Sequence, residues 1–263
     1  MYYTPGELLM PAPFKWTDEQ IQDMLMSYTL GESLNTIAHR YRTSYQVLSP
    51  LLKKHGLILR SHSEEMRRHT CNHSYFHDID SEEKAYWLGF LTADGCITTG
   101  NRVTLNLAMQ DCEHLYKFKR ALDATQMVSE NQHSCSLVIC SPEMASDLAM
   151  HGILPNKTFS TRVASVPFEL VRHYWRGVID GDGFIARGKA VLTLCGDYEV
   201  VSGFQAFVLS LCPVVRAKVL KSENIYTFSL GKPATQCIVR VMYRDATVAL
   251  ERKQQRAQEI LNV

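Results

Sequence analysis

The sequence repeats itself at an offset of 88 residues, and this repeat restricts the fold more than any other feature. Residues 86–97 read YWLGFLTADGCI and residues 174–185 read YWRGVIDGDGFI, with six of the twelve positions identical. Each copy is followed by the same order of strand-like and helical stretches. We therefore predict an α+β fold with two pseudo-symmetric halves of helix–strand–strand–helix–strand–strand–helix, written αββαββα. Because two such halves reproduce the symmetry of a homodimer within one chain, we expect a monomer.

The repeated segments predict two buried helices in close contact. Gly89 and Ala93 lie four residues apart in the first copy, as Gly177 and Gly181 do in the second. Small residues at this spacing let two helix backbones approach closely. Glycine within a helix costs up to about 1 kcal/mol relative to alanine. Its presence in both copies indicates that the two helices pack face to face.

An aspartate ends each of these helices, at Asp94 and Asp182, and a glycine follows it. We expect Gly95 and Gly183 to end the helices in the left-handed conformation. A single Asp-Gly pair is typical of a hairpin turn. Two acids that both face the negative end of a helix dipole, and that converge when the helices pack, are unfavourable unless a cation lies between them. Carboxylate oxygens bind hard cations such as Mg²⁺, or Mn²⁺, and such ions suit phosphodiester hydrolysis.

Residues 16–59 have a different pattern, which predicts three short helices. Thr17 and Gln20 form a candidate capping box before the first, and Ser44 is a candidate cap for the third. Three short helices joined by tight turns are typical of a helix-turn-helix module. Pro50 falls inside the third helix, so that helix either begins well after Ser44, with Pro50 in its first turn, or bends.

Charge supports this prediction only locally. The whole chain has 28 Lys and Arg against 27 Asp and Glu, a formal net charge of +1. Between residues 40 and 70, however, seven basic residues stand against two acidic ones, and such a patch attracts phosphates through counterion release. A solvated basic face is the alternative interpretation. The candidate DNA contacts in this region are Arg40, Arg42, Lys53, Lys54 and Arg60.

The expected domains are a helix-turn-helix domain at 1–60, a linker at 61–80, and the two halves at 81–165 and 166–263. The linker contains His62, His69, Cys71, His73 and His77, whose spacing fits no standard zinc finger. The eight cysteines include no CxxC pair and are interpreted as reduced thiols. With neither a signal peptide nor a long apolar run, we expect a cytoplasmic protein without membrane contact.

The segments WLGFLTADG and WRGVIDGDG resemble the nine-residue motif of the LAGLIDADG homing endonucleases of the single-chain, two-motif type. The resemblance extends from about residue 76 to the C-terminus. It implies two motif helices at a pseudo-two-fold interface and two saddle-shaped antiparallel sheets in the DNA major groove. It also implies a divalent metal at Asp94 and Asp182, a site in which we include Gly95 and Gly183. The chain ends lack the flanking residues of a protein-splicing element, so we expect a free-standing nuclease.

The resemblance further implies a basic residue near the acids in each half, which falls on Lys157 and Lys253. An ordinary surface lysine is the alternative at both positions. Thr92 in the first motif replaces the Asp180 of the second, at a position that we interpret as packing or capping. Candidate DNA contacts on or beside the strands are Arg102, Arg187, Lys189, Arg216, Lys218 and Lys221.

These features predict a site-specific, metal-dependent endonuclease that cuts both strands of DNA, with a helix-turn-helix domain as a second DNA contact. Two alternatives use the same scaffold. One is a transcription regulator that binds DNA without cutting it, and the other is an RNA-splicing helper. Two intact aspartates argue against the regulator, because a protein that only binds has no use for converging negative charge.

Overall fold

The computed structural model describes residues 16–60, 69–154 and 162–262. The chain divides into two compact units, Met1–Glu65 and Met66–Val263. The side chains of Tyr75 and Phe76 are buried in the core of the second unit. The predicted linker at 61–80 therefore includes residues that belong to this core.

Residues 16–60 of the first unit form three helices, α1 (Asp18–Thr29), α2 (Leu34–Arg40) and α3 (Tyr45–Lys54). The capping box of Thr17 and Gln20 is present at the start of α1. Helix α3 begins at Tyr45 and continues through Pro50, so the later start considered above is wrong. Within residues 16–60, the fully buried side chains come from all three helices and are Met24, Ile37, Leu48 and Leu52.

The second unit has the predicted order of elements in both halves. The first half consists of α4 (Glu82–Asp94), β1 (Gly95–Thr98), β2 (Arg102–Ala108), α5 (Cys112–Ala121), β3 (Ser129–Glu130), β4 (Ser134–Cys140) and α6 (Pro142–Met150). The second consists of α7 (Val171–Asp182), β5 (Gly183–Ile185), β6 (Leu192–Gly196), α8 (Tyr198–Leu211), β7 (Leu220–Ser222), β8 (Ile225–Leu230) and α9 (Lys232–Tyr243). A further helix, α10 (Glu251–Leu261), follows.

Each half contributes one four-stranded antiparallel sheet, with the strand orders β1-β2-β4-β3 and β5-β6-β8-β7. The two orders correspond strand for strand, which confirms the predicted α+β class and the αββαββα order of each half. Throughout the described ranges, no helix combines the length and the apolar character that crossing a membrane requires.

Helices α4 and α7 meet through their main chains. A Cβ atom added at Gly89 would lie 2.0 Å from the carbonyl oxygen of Tyr174, and one added at Gly177 would lie 2.1 Å from that of Tyr86. No side chain fits at such distances. Since both contacts are related by the 88-residue offset, the glycines hold the two helices together symmetrically, as the spacing predicts.

The conformation predicted for Gly95 and Gly183 is wrong. Their φ angles are −72° and −78°, and each glycine begins a strand in extended conformation. Glycine is required for space instead, because an added Cβ would lie 2.6 Å from the carbonyl oxygen of Leu91 or of Ile179.

Residues 214–220 alternate in sequence as a strand does, but the strand that the structure forms there is shorter. Pairing with β8 is confined to Leu220–Ser222. The preceding residues still alternate in exposure, with Val215, Ala217 and Val219 packed against the core. The alternation in the sequence therefore indicates an extended backbone with one side packed on the core. Such a backbone need not be paired with a neighbouring strand.

Candidate active site

The two acids lie at the adjoining ends of α4 and α7. Asp94 and Asp182 are the last residues of their helices, and both are exposed. A Cβ added at Gly181 would lie 2.4 Å from the Cβ of Ala93 and 3.3 Å from Oδ2 of Asp94. The carboxylate of Asp94 therefore lies against the main chain of the residue that precedes Asp182. The structure brings the two acid-bearing helix ends together.

Lys253, on α10, is buried against the end of α7 that carries Asp182. Its side chain is only 3% exposed, and its Nζ donates hydrogen bonds to the main-chain oxygens of Ile179 (2.8 Å), Asp180 (2.6 Å) and Gly181 (2.8 Å). An ammonium group has three protons to donate, and all three are used here. Its positive charge offsets the negative end of the α7 dipole. Lys253 is thus not the ordinary surface lysine that was the alternative interpretation.

The electrostatic environment of Lys253 includes both acids. Burial lowers the pKa of its ammonium group to about 8, and the charge of Arg252 acts in the same direction. Asp180, Asp94 and Asp182 act in the opposite direction, to raise it. The charge of this one buried ammonium group therefore interacts with both carboxylates of the candidate site.

Asp180 is the buried acid of the site, with 1% of its surface exposed. Its Oδ1 accepts a hydrogen bond from the hydroxyl of Tyr243 (2.6 Å), and its Oδ2 accepts from the hydroxyl of Tyr86 (2.8 Å) and the main-chain N–H of Leu250 (2.7 Å). Burial raises the pKa of this carboxyl group, while these hydrogen bonds and Lys253 lower it. Its burial agrees with the interpretation that the position packs rather than binds metal.

The carboxylates fit a divalent cation of the hard, oxygen-preferring class. Within residues 16–60, 69–154 and 162–262, no three His, Cys, Asp or Glu side chains are grouped to hold a metal. A cation at Asp94 and Asp182 would therefore take most of its ligands from water or from a substrate, which is how Mg²⁺ is commonly bound. The main chains of Gly95 and Gly183 lie beside the two acids in sequence.

No family model and no curated protein sequence matches the chain. Solved LAGLIDADG homing endonucleases resemble this chain. The I-SmaMI LAGLIDADG homing endonuclease bound to cleaved DNA is 9% identical, with a TM-score of 0.49 over 68% of this chain and 87% of that one. I-GzeII in complex with its DNA target is 9% identical, with a TM-score of 0.48 over 68% and 88%. The LAGLIDADG meganuclease I-AabMI bound to uncleaved DNA is 12% identical, with a TM-score of 0.44 over 67% and 88%.

The sheets that follow the two LAGLIDADG-like segments expose polar faces. The basic candidates Arg102, Arg187, Lys189, Arg216, Lys218 and Lys221 are all exposed. Only Arg102 and Lys221 lie on strands. Lys221 pairs with Tyr226 and lies 5.6 Å from the centre of its ring. The two faces also present uncharged polar side chains, which charge does not reveal but strand alternation does: Thr104, Asn106, Ser136, Thr193, Thr227 and Ser229.

The basic candidates of the first unit divide into two groups. Arg40 forms an ion pair with Glu32 and a hydrogen bond to Ser27. Arg60 donates to the main-chain oxygens of Tyr28 and Glu32, and both arginines therefore stabilise the unit itself. The remaining candidates, which are exposed, are Arg42, Lys53 and Lys54.

Two earlier predictions involve residues of which the structure says little. Lys157 lies outside the described residues, as does His62 of the histidine-rich segment. In that segment Cys71 Sγ lies 3.6 Å from His73 Nδ1, which in turn lies 2.9 Å from the hydroxyl of Ser141. These contacts account for His73 without a metal.

Proposed function

We propose that this protein is a site-specific, divalent-metal-dependent DNA endonuclease that cuts both strands by phosphodiester hydrolysis. The observation that supports it best is the meeting of Asp94 and Asp182 at the ends of two helices joined through their main chains. Two exposed carboxylates so placed repel each other unless a cation is shared.

The chain's own residues have distinct roles in this proposal. Asp94 and Asp182, with Gly95 and Gly183 beside them, hold the cation, which polarises the phosphoryl group and activates water when bound. Lys253 donates its three protons to carbonyl oxygens, so it has none left for the substrate. It therefore acts through its charge, which favours the negative charge that builds up during phosphoryl transfer. Lys157 is proposed for the corresponding place in the first half.

DNA is the proposed partner of both units. β1 and β5 begin at the residues next to the acids, so a duplex cut at the acids extends over the polar faces of both sheets. Hydroxyl and amide side chains read base edges, and basic side chains bind phosphates. In the first unit, Arg42, Lys53 and Lys54 supply a second contact of helix-turn-helix type. Since one chain carries both acids, a monomer suffices.

The test begins with a target selected from randomised duplex DNA by its binding to the full-length protein. With Mg²⁺, wild type is expected to produce linear fragments, and EDTA to prevent them. Asp94→Asn and Asp182→Asn should each reduce double-strand cleavage by about 10³-fold or more, since each removes a charge from the metal site, with the Kd for DNA within threefold of wild type. Glu143→Gln, which changes an exposed acid on α6, is the matched control and should cut normally.

Three results would contradict the proposal. Full cleavage by both aspartate variants would remove these acids from the reaction. Specific binding of DNA without any scission by wild type, across Mg²⁺ and Mn²⁺, would favour the transcription regulator. Preference for a structured RNA over every selected duplex would favour the splicing helper.

A further inference from the structure

We propose that Asp180 is a positioning residue, which places Lys253 beside the acid pair by anchoring the segment between α9 and α10. This inference rests on the proposed function, because Lys253 acts there through its charge. Asp180 does not touch the substrate or the metal, since its carboxylate is buried and faces away from solvent.

The carboxylate of Asp180 joins three elements that are distant in sequence. The hydroxyl of Tyr86 reaches it from α4, that of Tyr243 from the end of α9, and the N–H of Leu250 from the start of α10. The segment from 244 to 249 is therefore held at both ends by one side chain. A buried carboxylate with three donors is satisfied, so it fixes its partners tightly.

Fixing Leu250 also fixes Lys253. Leu250 is the N-cap residue of α10, and its carbonyl oxygen accepts a hydrogen bond of 2.9 Å from the N–H of Lys253. The two residues are thus joined by the first turn of a helix, which is a rigid connection. At the other end, Nζ of Lys253 donates to the main-chain oxygen of Asp180 itself. Asp180 consequently holds this turn twice, by its side chain and by its carbonyl group.

The first half shows that the helix pair does not need this acid. Thr92 occupies the equivalent position, where its hydroxyl donates to the carbonyl oxygen of Leu88 (2.9 Å) and accepts from the hydroxyl of Tyr174 (3.3 Å). Both partners belong to the helix pair. At this position a threonine joins the two helices, whereas Asp180 also binds the ends of the α9–α10 segment.

The variant Asp180→Asn keeps the shape of the side chain but changes its hydrogen-bonding groups. An amide offers one oxygen and one NH₂ group, whereas both atoms at this place must accept. At least one of the three donors then loses its acceptor, because a tyrosine hydroxyl that accepts from the new NH₂ group has to direct its own proton elsewhere. We expect single-turnover cleavage to slow by about 10- to 100-fold, the usual effect of removing a group that orients a catalytic one, while the Kd for DNA stays within threefold of wild type.

The deciding measurement is a double-mutant cycle with Lys253→Met. If Asp180 acts through Lys253, Asp180→Asn should slow the Lys253→Met enzyme by less than twofold. If the rate losses of the two single variants multiply in the double variant, the proposal is overturned, because Asp180 then acts independently of Lys253. Tyr243→Phe, which removes a single donor, should show a smaller loss with the same dependence on Lys253. Thr92→Val is the matched control in the other half and should cleave at the wild-type rate.

Hydrogen exchange separates this inference from the proposed function. The amide of Leu250 should be protected in wild type and should exchange at least tenfold faster in Asp180→Asn, whether or not the protein cuts DNA. Unchanged protection would overturn the anchoring role. Lack of cleavage by wild type would refute only the nuclease, since the exchange result would still decide the positioning.

Discussion

The two halves of the second unit agree in main chain and differ in side chains. Gly89 and Gly177 make equivalent contacts across the helix pair, and Tyr86 and Tyr174 each direct a hydroxyl at the opposite helix. Those hydroxyls meet different partners, a buried carboxylate in one case and a threonine in the other. The main-chain contact therefore sets where the acids lie, whereas the buried side chains around it have a specialised arrangement in one half only.

The largest expected effect tests the symmetric part of this comparison. Gly89→Ala and Gly177→Ala should each destabilise the second unit by about 3 kcal/mol or more, because the new methyl group collides with a carbonyl oxygen of the opposite helix. Urea unfolding followed by tryptophan fluorescence measures the loss, since Trp87 and Trp175 both lie on these helices. Gly231→Ala is the control, as an added Cβ there meets nothing within 4 Å. Markedly unequal losses in the two helices would argue against a symmetric contact.

The next effect tests the asymmetric part. Tyr86→Phe removes a donor from the buried carboxylate of Asp180 and the acceptor of His114 Nε2, so we expect a loss of about 2–3 kcal/mol. Tyr174→Phe removes contacts of 3.3 Å to Thr92 and to the N–H of Ala164, for which about 1 kcal/mol or less is expected. The same unfolding measurement compares them. Equal losses would show that Asp180 has not specialised its half.

The remaining effect, which vanishes above pH 6.5, concerns pH on the Tyr86 side. The hydroxyl of Tyr86 donates its proton to Asp180 and therefore accepts from Nε2–H of His114. Burial, followed by the charges of Lys117 and Arg252, lowers the pKa of His114 to about 3. The folded protein thus stays neutral at His114 while the unfolded chain takes up a proton below its ordinary pKa of about 6.5.

Stability should consequently fall as the pH drops from about 6.5 towards 3, by about 1.4 kcal/mol per pH unit for this one proton. Above pH 6.5 the contribution is constant. His114→Gln removes the group, so its unfolding free energy should depend less steeply on pH between 6.5 and 4.5. His173, whose pKa burial lowers to about 4, is present in both proteins and cancels from the difference. Parallel curves would show that His114 takes up a proton equally in both states.

The helix pair could be predicted because its cause is local and occurs twice. The sequence shows the spacing of small residues, the Asp-Gly pair that follows it and the constant offset between the two copies. Together these features locate both acids at the ends of the paired helices. The left-handed form of Gly95 was predicted wrongly because a glycine serves either for its φ angle or for its missing side chain, and only neighbouring atoms such as Leu91 O decide which.

The support of the site could not be predicted, because its contacts join distant positions. Asp180 meets partners 63, 70 and 94 residues away, and no periodic pattern connects them. Lys253 lies on a helix rich in charge, a composition that usually indicates a solvated face. Its burial depends on three carbonyl oxygens at the end of α7. Helix geometry predicts that these oxygens have no partner within the helix, but it does not predict which side chain donates to them.

The contact between Gly89 and Gly177 has a consequence for how such a chain can change. Since the spacing of the acids depends on a contact between two main chains, the exposed faces of the two sheets can vary in sequence without shifting the acid pair. In the proposed endonuclease, a library randomised at Thr104, Asn106, Thr193 and Thr227 should therefore yield proteins with altered target preference and an unchanged rate of cleavage. The same separation would let natural drift retarget the molecule one half at a time.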